Sequence, residues 1–218
     1  MKFDNRTMQV LKNFSFINPS LLFTQGNVLK TQSPTSAVLA IATLDQSFDS
    51  QFAIYDLSRL LGVMTMFKEP DLQIEDKYML IKDGSTKSVK YTFTDPSSII
   101  APKPNVQVRM PDTLASLKVT SDQLSDVLRA ASLLKFTDIA FIGRDGKISM
   151  SAIDASGKIR DTYDIGIGET DKIFQINIKV ENLKLLPGDY EVLITKVILH
   201  WTGDRIEYYT GAEANSTF

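Results

Sequence analysis

The stretch FAIYDLSRLLG, residues 52–62, reads as a few extended residues that dock Phe52 and Ile54 and then a helix entered through Asp56. The chain does this a second time at IFQINIKVENLKLL, residues 173–186, where Phe174 and Ile176 precede another short apolar-and-basic helix ended by Pro187-Gly188. An element that recurs must bury the same face against the same kind of neighbour in both places. Its recurrence therefore predicts two copies of one architectural unit.

The surrounding elements recur in the same order. In the first half, Val10, Leu11, Phe14 and Ile17 fall at helical spacing within a helix expected over residues 4–17. Strand-like runs follow at 21–23, 27–30 and 37–43, then the helix around 56–67, then strands at 77–82 and 88–94 about the turn KDGSTK. In the second half, Thr120 with Gln123 three residues on forms a capping box, and Leu124, Val127, Leu128 and Ala131 trace one apolar stripe. Strands are then expected at 138–142, 148–153, GKIRDTYDI, FQI, 190–201 and 205–209, with the repeated short helix among them.

Between the halves lies DPSSIIAPKPNVQVRMPD, residues 95–112, which holds Pro96, Pro102, Pro104 and Pro111, four of the eight prolines. Proline fixes φ and removes a donor, so this stretch is an extended connector. The organisation is an N-terminal unit over 1–100, a connector over 101–111 and a C-terminal unit over 112–218. Each unit is of the α+β class, with two helices on one face of a mostly antiparallel sheet.

The net charge of −2 argues against a chain that simply coats nucleic acid, yet the charge is unevenly placed. The helical segments 2–17, 52–68, 118–135 and 177–186 carry ten basic residues: Lys2, Arg6, Lys12, Arg59, Lys68, Lys118, Arg129, Lys135, Lys179 and Lys184. Against them stand five acidic ones, Asp4, Asp56, Asp122, Asp126 and Glu181. Helices gathered on one face would make that face basic and the remainder acidic, a polarity suited to loose, sequence-independent phosphate contact. The plainer reading is a set of solvated helix faces.

Catalytic chemistry finds little to work with. The single histidine, His200, sits in an apolar strand beside Trp201, and no nucleophile elbow surrounds any serine. Gly166-Ile-Gly168 is too short for a dinucleotide loop, no phosphate loop ending in Lys-Ser or Lys-Thr occurs, and no cofactor is expected. Without cysteine there is neither a disulfide nor a zinc–thiolate site. No apolar run is long enough to cross a membrane and MKFDNRTMQV lacks a signal-peptide core, so the expected location is cytoplasmic. Acidic clusters at Asp45/Asp49, Glu69/Asp71/Glu75/Asp76 and Asp161/Asp164 would serve a metal-dependent nucleic-acid enzyme only by converging. A viral structural or scaffold protein, β-rich, symmetric and non-catalytic, is the other alternative.

The segments VLKNFSFIN, FAIYDLSRLLG, DPSSIIAPKP, LKLLPGDYEVLI and AEANSTF, in this order, resemble the DNA polymerase sliding clamp of T4-like bacteriophages. The resemblance spans nearly the whole chain. It implies a homotrimeric ring of two-domain subunits, closed around duplex DNA by an ATP-driven loader, tethering polymerase and late-transcription proteins in the host cell. It also implies that the ten basic residues face DNA. Edge-to-edge pairing between subunits is expected from Val89, Tyr91 and Phe93 on one side and Ile159, Tyr163 and Ile165 on the other. The expected partner pocket draws on Ile99, Ile100, Val106, Val108, Val197, Leu199 and Tyr209.

Overall fold

The computed structural model describes residues 1–84, 86–103 and 105–218; Ser85 of the KDGSTK turn and Pro104 of the connector lie outside the described residues. The chain divides into two compact units, Met1–Val106 and Gln107–Phe218.

The first unit begins with α1 (Asn5–Ile17), capped by the Asp4 carboxylate, which accepts from the Thr7 amide at 2.6 Å. Its stripe of Val10, Leu11, Phe14 and Ile17 is buried, as the spacing requires. β1 (Leu21–Phe23) pairs antiparallel with β4 (Phe52–Ile54), and β2 (Gly26–Gln32) with β3 (Val38–Phe48). α2 (Leu57–Met64) follows, its N-cap Asp56 accepting from the Arg59 amide at 2.8 Å. An antiparallel sheet of β5 (Asp71–Ile74), β6 (Tyr78–Asp83) and β7 (Lys87–Thr92) closes the unit. Phe23, Phe48, Phe52 and Phe93 make a stacked and edge-to-face cluster with centroids 4.4 to 5.9 Å apart. Burial of these rings fixes where β4 hands over to α2.

The second unit has β8 (Thr113–Val119), then α3 (Ser121–Leu134) opened by the expected capping box of Thr120 and Gln123. β9 (Asp138–Arg144), β10 (Lys147–Ile153), β11 (Tyr163–Glu169) and β12 (Phe174–Lys179) form an antiparallel sheet in the order β11-β10-β9-β12, with α3 packed over β9, β10 and β11. β13 (Tyr190–Thr195) lies between β8 and β14 (Ile198–Gly203), and β14 pairs in turn with β15 (Ile206–Gly211). Phe141, Tyr190, Trp201 and Tyr208 meet edge to face in the core. The tail returns to β12, where Thr217 and Gln175 exchange backbone hydrogen bonds of 2.7 and 2.8 Å.

Three expectations need correction. The second short helix is absent: β12 keeps its pairing with β9 through Lys179, and only one 3-10 turn follows, Val180–Asn182. Ile176, Ile178 and Val180 are β-branched, and Lys179 offers no side-chain cap of the kind Asp56 gives α2. The described residues thus hold three α-helices, not four. The strand expected over 190–201 breaks at Lys196-Val197, where Thr195 Oγ1 both receives the Ile198 amide and donates to the Ile198 carbonyl. GKIRDTYDI is a strand only from Tyr163; before it, the Asp154 carboxylate collects the amides of Ser156, Lys158 and Ile159 into a loop.

Gly143 shows how tightly β9 and β12 approach. A Cβ at this position would lie 2.6 Å from the Phe174 ring and 2.7 Å from the Lys172 carbonyl oxygen, and a backbone atom cannot swing aside as a side chain can. Gly143→Ala is expected to cost about 2 kcal/mol, read as a lower urea midpoint at constant slope. An unchanged midpoint would mean that β12 can shift without loss.

Candidate nucleic-acid interface

The ten basic residues divide by what holds them. Arg6 and Lys12 lie on α1, Arg59 on α2 and Arg129 on α3; Lys12, Arg59 and Arg129 are exposed and Arg6 is half-buried. Asp122 and Asp126 share the exposed side of α3 with Arg129. The helices proper are therefore less basic than the segments read from sequence. The remaining positive charge belongs to their flanks: Lys68 just after α2, Lys135 at the left-handed C-cap of α3 (φ 59°), and Lys184 after the 3-10 turn.

Three lysines are engaged within their own unit. Lys2 precedes α1 and meets Glu69 at 2.7 Å, and this hydrogen bond raises its pKa. Lys118 lies on β8, a strand, and meets Asp189 at 2.9 Å; the same carboxylate accepts from the Ser121 amide, which holds its pKa low and ties it to the start of α3. Lys179 ends β12, 2.7 Å from Asp138, whose side chain is only 2% exposed and also accepts from Thr137 Oγ1. The hydrogen bond to Asp138 is the main cause of the raised Lys179 pKa. Lys179 is a structural cation, placed by a strand that sequence periodicity had read as helix.

β7 and β11 are among the strands that end their sheets. Among the described residues of its unit β7 pairs with β6 alone, and β11 with β10 alone, so each presents a free row of backbone donors and acceptors. The side chains expected to carry the contact are placed differently. Tyr91 is buried, its hydroxyl donating to the Asp56 carbonyl at 2.9 Å, and Phe93 stacks on Phe52 beyond the end of β7. Tyr91 is a core residue and Phe93 is half-buried against Phe52, because their face of the strand covers the first unit. Val89 is half-buried, Ile165 half-buried and Tyr163 exposed on β11, while Ile159 sits in the Asp154 loop.

The apolar partner residues also sort. Leu199 is fully buried, since its face of β14 joins the core, and is removed from the exposed set. Tyr209 lies flat on His200, with centroids 4.3 Å apart; its hydroxyl donates to Glu207, and burial above all raises its pKa to about 12. His200 Nε2 lies 3.0 Å from the same carboxylate and 3.4 Å from Thr202 Oγ1, which makes the lone histidine part of a cluster with Glu207, Tyr209 and Thr202. Ile99, Val106 and Val108 are half-buried, and Ile100 and Val197 exposed. Sequence reasoning missed Phe218, 60% exposed beneath the Lys196 ammonium at 4.2 Å. Among the described residues no three His, Cys, Asp or Glu side chains converge to hold a metal, and no helix is long and apolar enough to cross a membrane.

Two family models match the chain: DNA polymerase processivity factor over residues 2–101, and gp45 sliding clamp, C terminal, over residues 116–214. Among curated relatives, the sliding clamp of Vibrio phage KVP40 is 30% identical over 98% of this chain and 100% of its own length. The sliding clamp of Enterobacteria phage T4 is 28% identical over 100% and 99%. Solved structures of similar fold include PCNA from Thermococcus kodakaraensis, with a TM-score of 0.71 at 13% identity, covering 97% of this chain and 98% of that one. A second is A. fulgidus PCNA bound to the C-terminal region of FEN-1, with a TM-score of 0.68 at 15% identity over 94% of each chain. At such identities these neighbours establish an α+β clamp fold.

Proposed function

The chain belongs to the sliding-clamp family of DNA polymerase processivity factors and serves DNA replication in a bacteriophage, and on that premise we propose that three copies close into a ring around duplex DNA, opened by an ATP-driven loader. Proteins of this kind are non-catalytic accessory factors. The observation that carries the ring is the pair of unpaired edges: β7 belongs to one unit and β11 to the other. Two different edges on one chain pair head to tail, and a head-to-tail contact either closes or grows without limit. Closure pairs both of these edges in every copy.

A closed ring holds DNA by topology, so individual phosphate contacts can be weak and independent of base sequence. The exposed apolar residues Val197 and Phe218 on the second unit, with Ile100 on the first, are the proposed seats for short apolar-aromatic peptides of the polymerase and of transcription partners.

Native mass spectrometry combined with a retention assay tests this reading. A trimer should form at micromolar concentration and, once loaded, should stay on nicked circular DNA but run off the same DNA after linearisation. A monomer, or equal retention on both forms, would refute the ring.

A further inference from the structure

Each free edge is flanked by a groove with a helix as its wall. Beside β7, a concavity of about 230 Å³ is lined by Tyr55, Asp56, Arg59 and Val63 of the α2 region together with Val89 and Tyr91. Beside the start of β11, one of about 370 Å³ is lined by Asp126, Arg129, Ala130, Leu133 and Leu134 of α3 together with Tyr163. Tyr55 and Leu133 are large apolar side chains left 67% and 74% exposed. Each wall carries an aspartate and an arginine three residues apart, about 4.5 Å along a helix axis. Among the described residues, Arg59, Asp126 and Arg129 have no ion-pair partner in their own subunit.

We propose that these two helix walls dock on one another between neighbouring copies of the chain, Arg59 pairing with Asp126 and Asp56 with Arg129, and that this charge pattern sets the orientation and register of the seam. The proposal rests on the ring reading and adds to it what makes one edge recognise the other. The place of each wall follows from its anchor. The Tyr91 hydroxyl bonded to the Asp56 carbonyl holds the start of α2 against the end of β7. Tyr163, the first residue of β11, shares its groove with the C-terminal half of α3. When two edges pair antiparallel, the end of one meets the start of the other.

The start of α2 then faces the C-terminal half of α3, and the order of charges on the two walls selects helices that run in opposite directions. In that order Tyr55 reaches Leu133, Asp56 reaches Arg129 and Arg59 reaches Asp126. A parallel approach would set Asp56 on Asp126 and Arg59 on Arg129, so the same four residues repel the wrong orientation. Asp56 spends one oxygen on the α2 cap and keeps the other for this contact. Strand pairing alone leaves register open, because every edge offers the same backbone groups; side chains at fixed places remove the ambiguity.

Arg59→Glu and Asp126→Arg, each made in the full chain and checked for an unchanged thermal transition, test the pairing by sedimentation velocity over a concentration series. Either single change places like charges together at three seams, and should raise the concentration for half-assembly roughly tenfold or more at low salt, less at high salt. Combining them restores opposite charges and should return the midpoint to within about threefold of the wild type. A double variant no better than the worse single one overturns the charge pairing, as do single variants that assemble normally. A wild type that never forms trimers overturns the ring itself, which keeps the two failures distinct.

Discussion

Replacing Lys179 by methionine should lower the unfolding free energy by about 3 kcal/mol, the lower end of what breaking a buried ion pair costs, because the ammonium keeps some contact with water. The loss arises at Asp138, whose side chain is almost wholly buried and would retain, among the described residues, the Thr137 hydroxyl as its polar partner. The penalty belongs to the uncompensated carboxylate, so adding Asp138→Asn to the methionine variant should recover most of it. Lys12→Met, an exposed change on α1, should stay within about 0.5 kcal/mol of the wild type. The Lys179 pKa lies above its ordinary 10.5. Its contribution is therefore complete below the unfolded value and fades as pH rises through the folded one, so the methionine variant's deficit is full at neutral pH and shrinks only in strongly alkaline solution. Urea unfolding of the four proteins provides the check. A methionine variant within 1 kcal/mol of the wild type would show that Asp138 finds other solvation.

The same residue marks the limit of what was legible beforehand. Periodicity and capping located α1, α2 and α3 well, because each has a carboxylate or hydroxyl N-cap and a buried stripe close in sequence to one another. The repeat of Phe-x-Ile before an apolar run was also real as far as the strands β4 and β12. It failed one step later. Whether IKVENLKLL continues as helix depends on Asp138, some forty residues away, which pairs with Lys179 and keeps β12 on β9. Ionic partners at such separation leave no local pattern. Lys118, bound to Asp189, and Lys2, bound to Glu69, were counted toward a basic face for the same reason.

The partner and seam residues met a different obstacle. Alternation shows that Val89, Tyr91 and Phe93 share one face of a strand, but not whether that face looks at the subunit's own core or at a neighbour. Tyr91 and Phe93 look inward, and the seam is left to the backbone edge and the helix walls. Leu199 was lost the same way, two residues past the exposed turn at Lys196-Val197.

Reversing the charge of the exposed helix flanks should abolish processive synthesis while leaving the ring intact. Lys12 on α1, Lys68 after α2, Lys135 at the end of α3 and Lys184 after the 3-10 turn are all exposed. None of the four lines the grooves beside β7 and β11. Changing all four to glutamate moves each subunit by about eight charge units, and turns a weak attraction for phosphate into repulsion. Each change is at an exposed position outside a strand, so the summed cost in stability should remain under about 2 kcal/mol. Trimer formation should be preserved, because none of the four lies on the proposed seam. The expected result in primer extension on a long template, with polymerase and loader, is short products, with the defect deepening as salt is lowered because unscreened repulsion grows. Location can be separated from net charge by a control of the same total charge, Lys77, Arg144, Lys147 and Lys158 to glutamate, all exposed in turns and strand ends outside β7 and β11. That control should extend primers nearly as the wild type does. Full-length products from the flank variant would show that these lysines do not meet DNA, and equal defects in both variants would reduce their role to bulk charge.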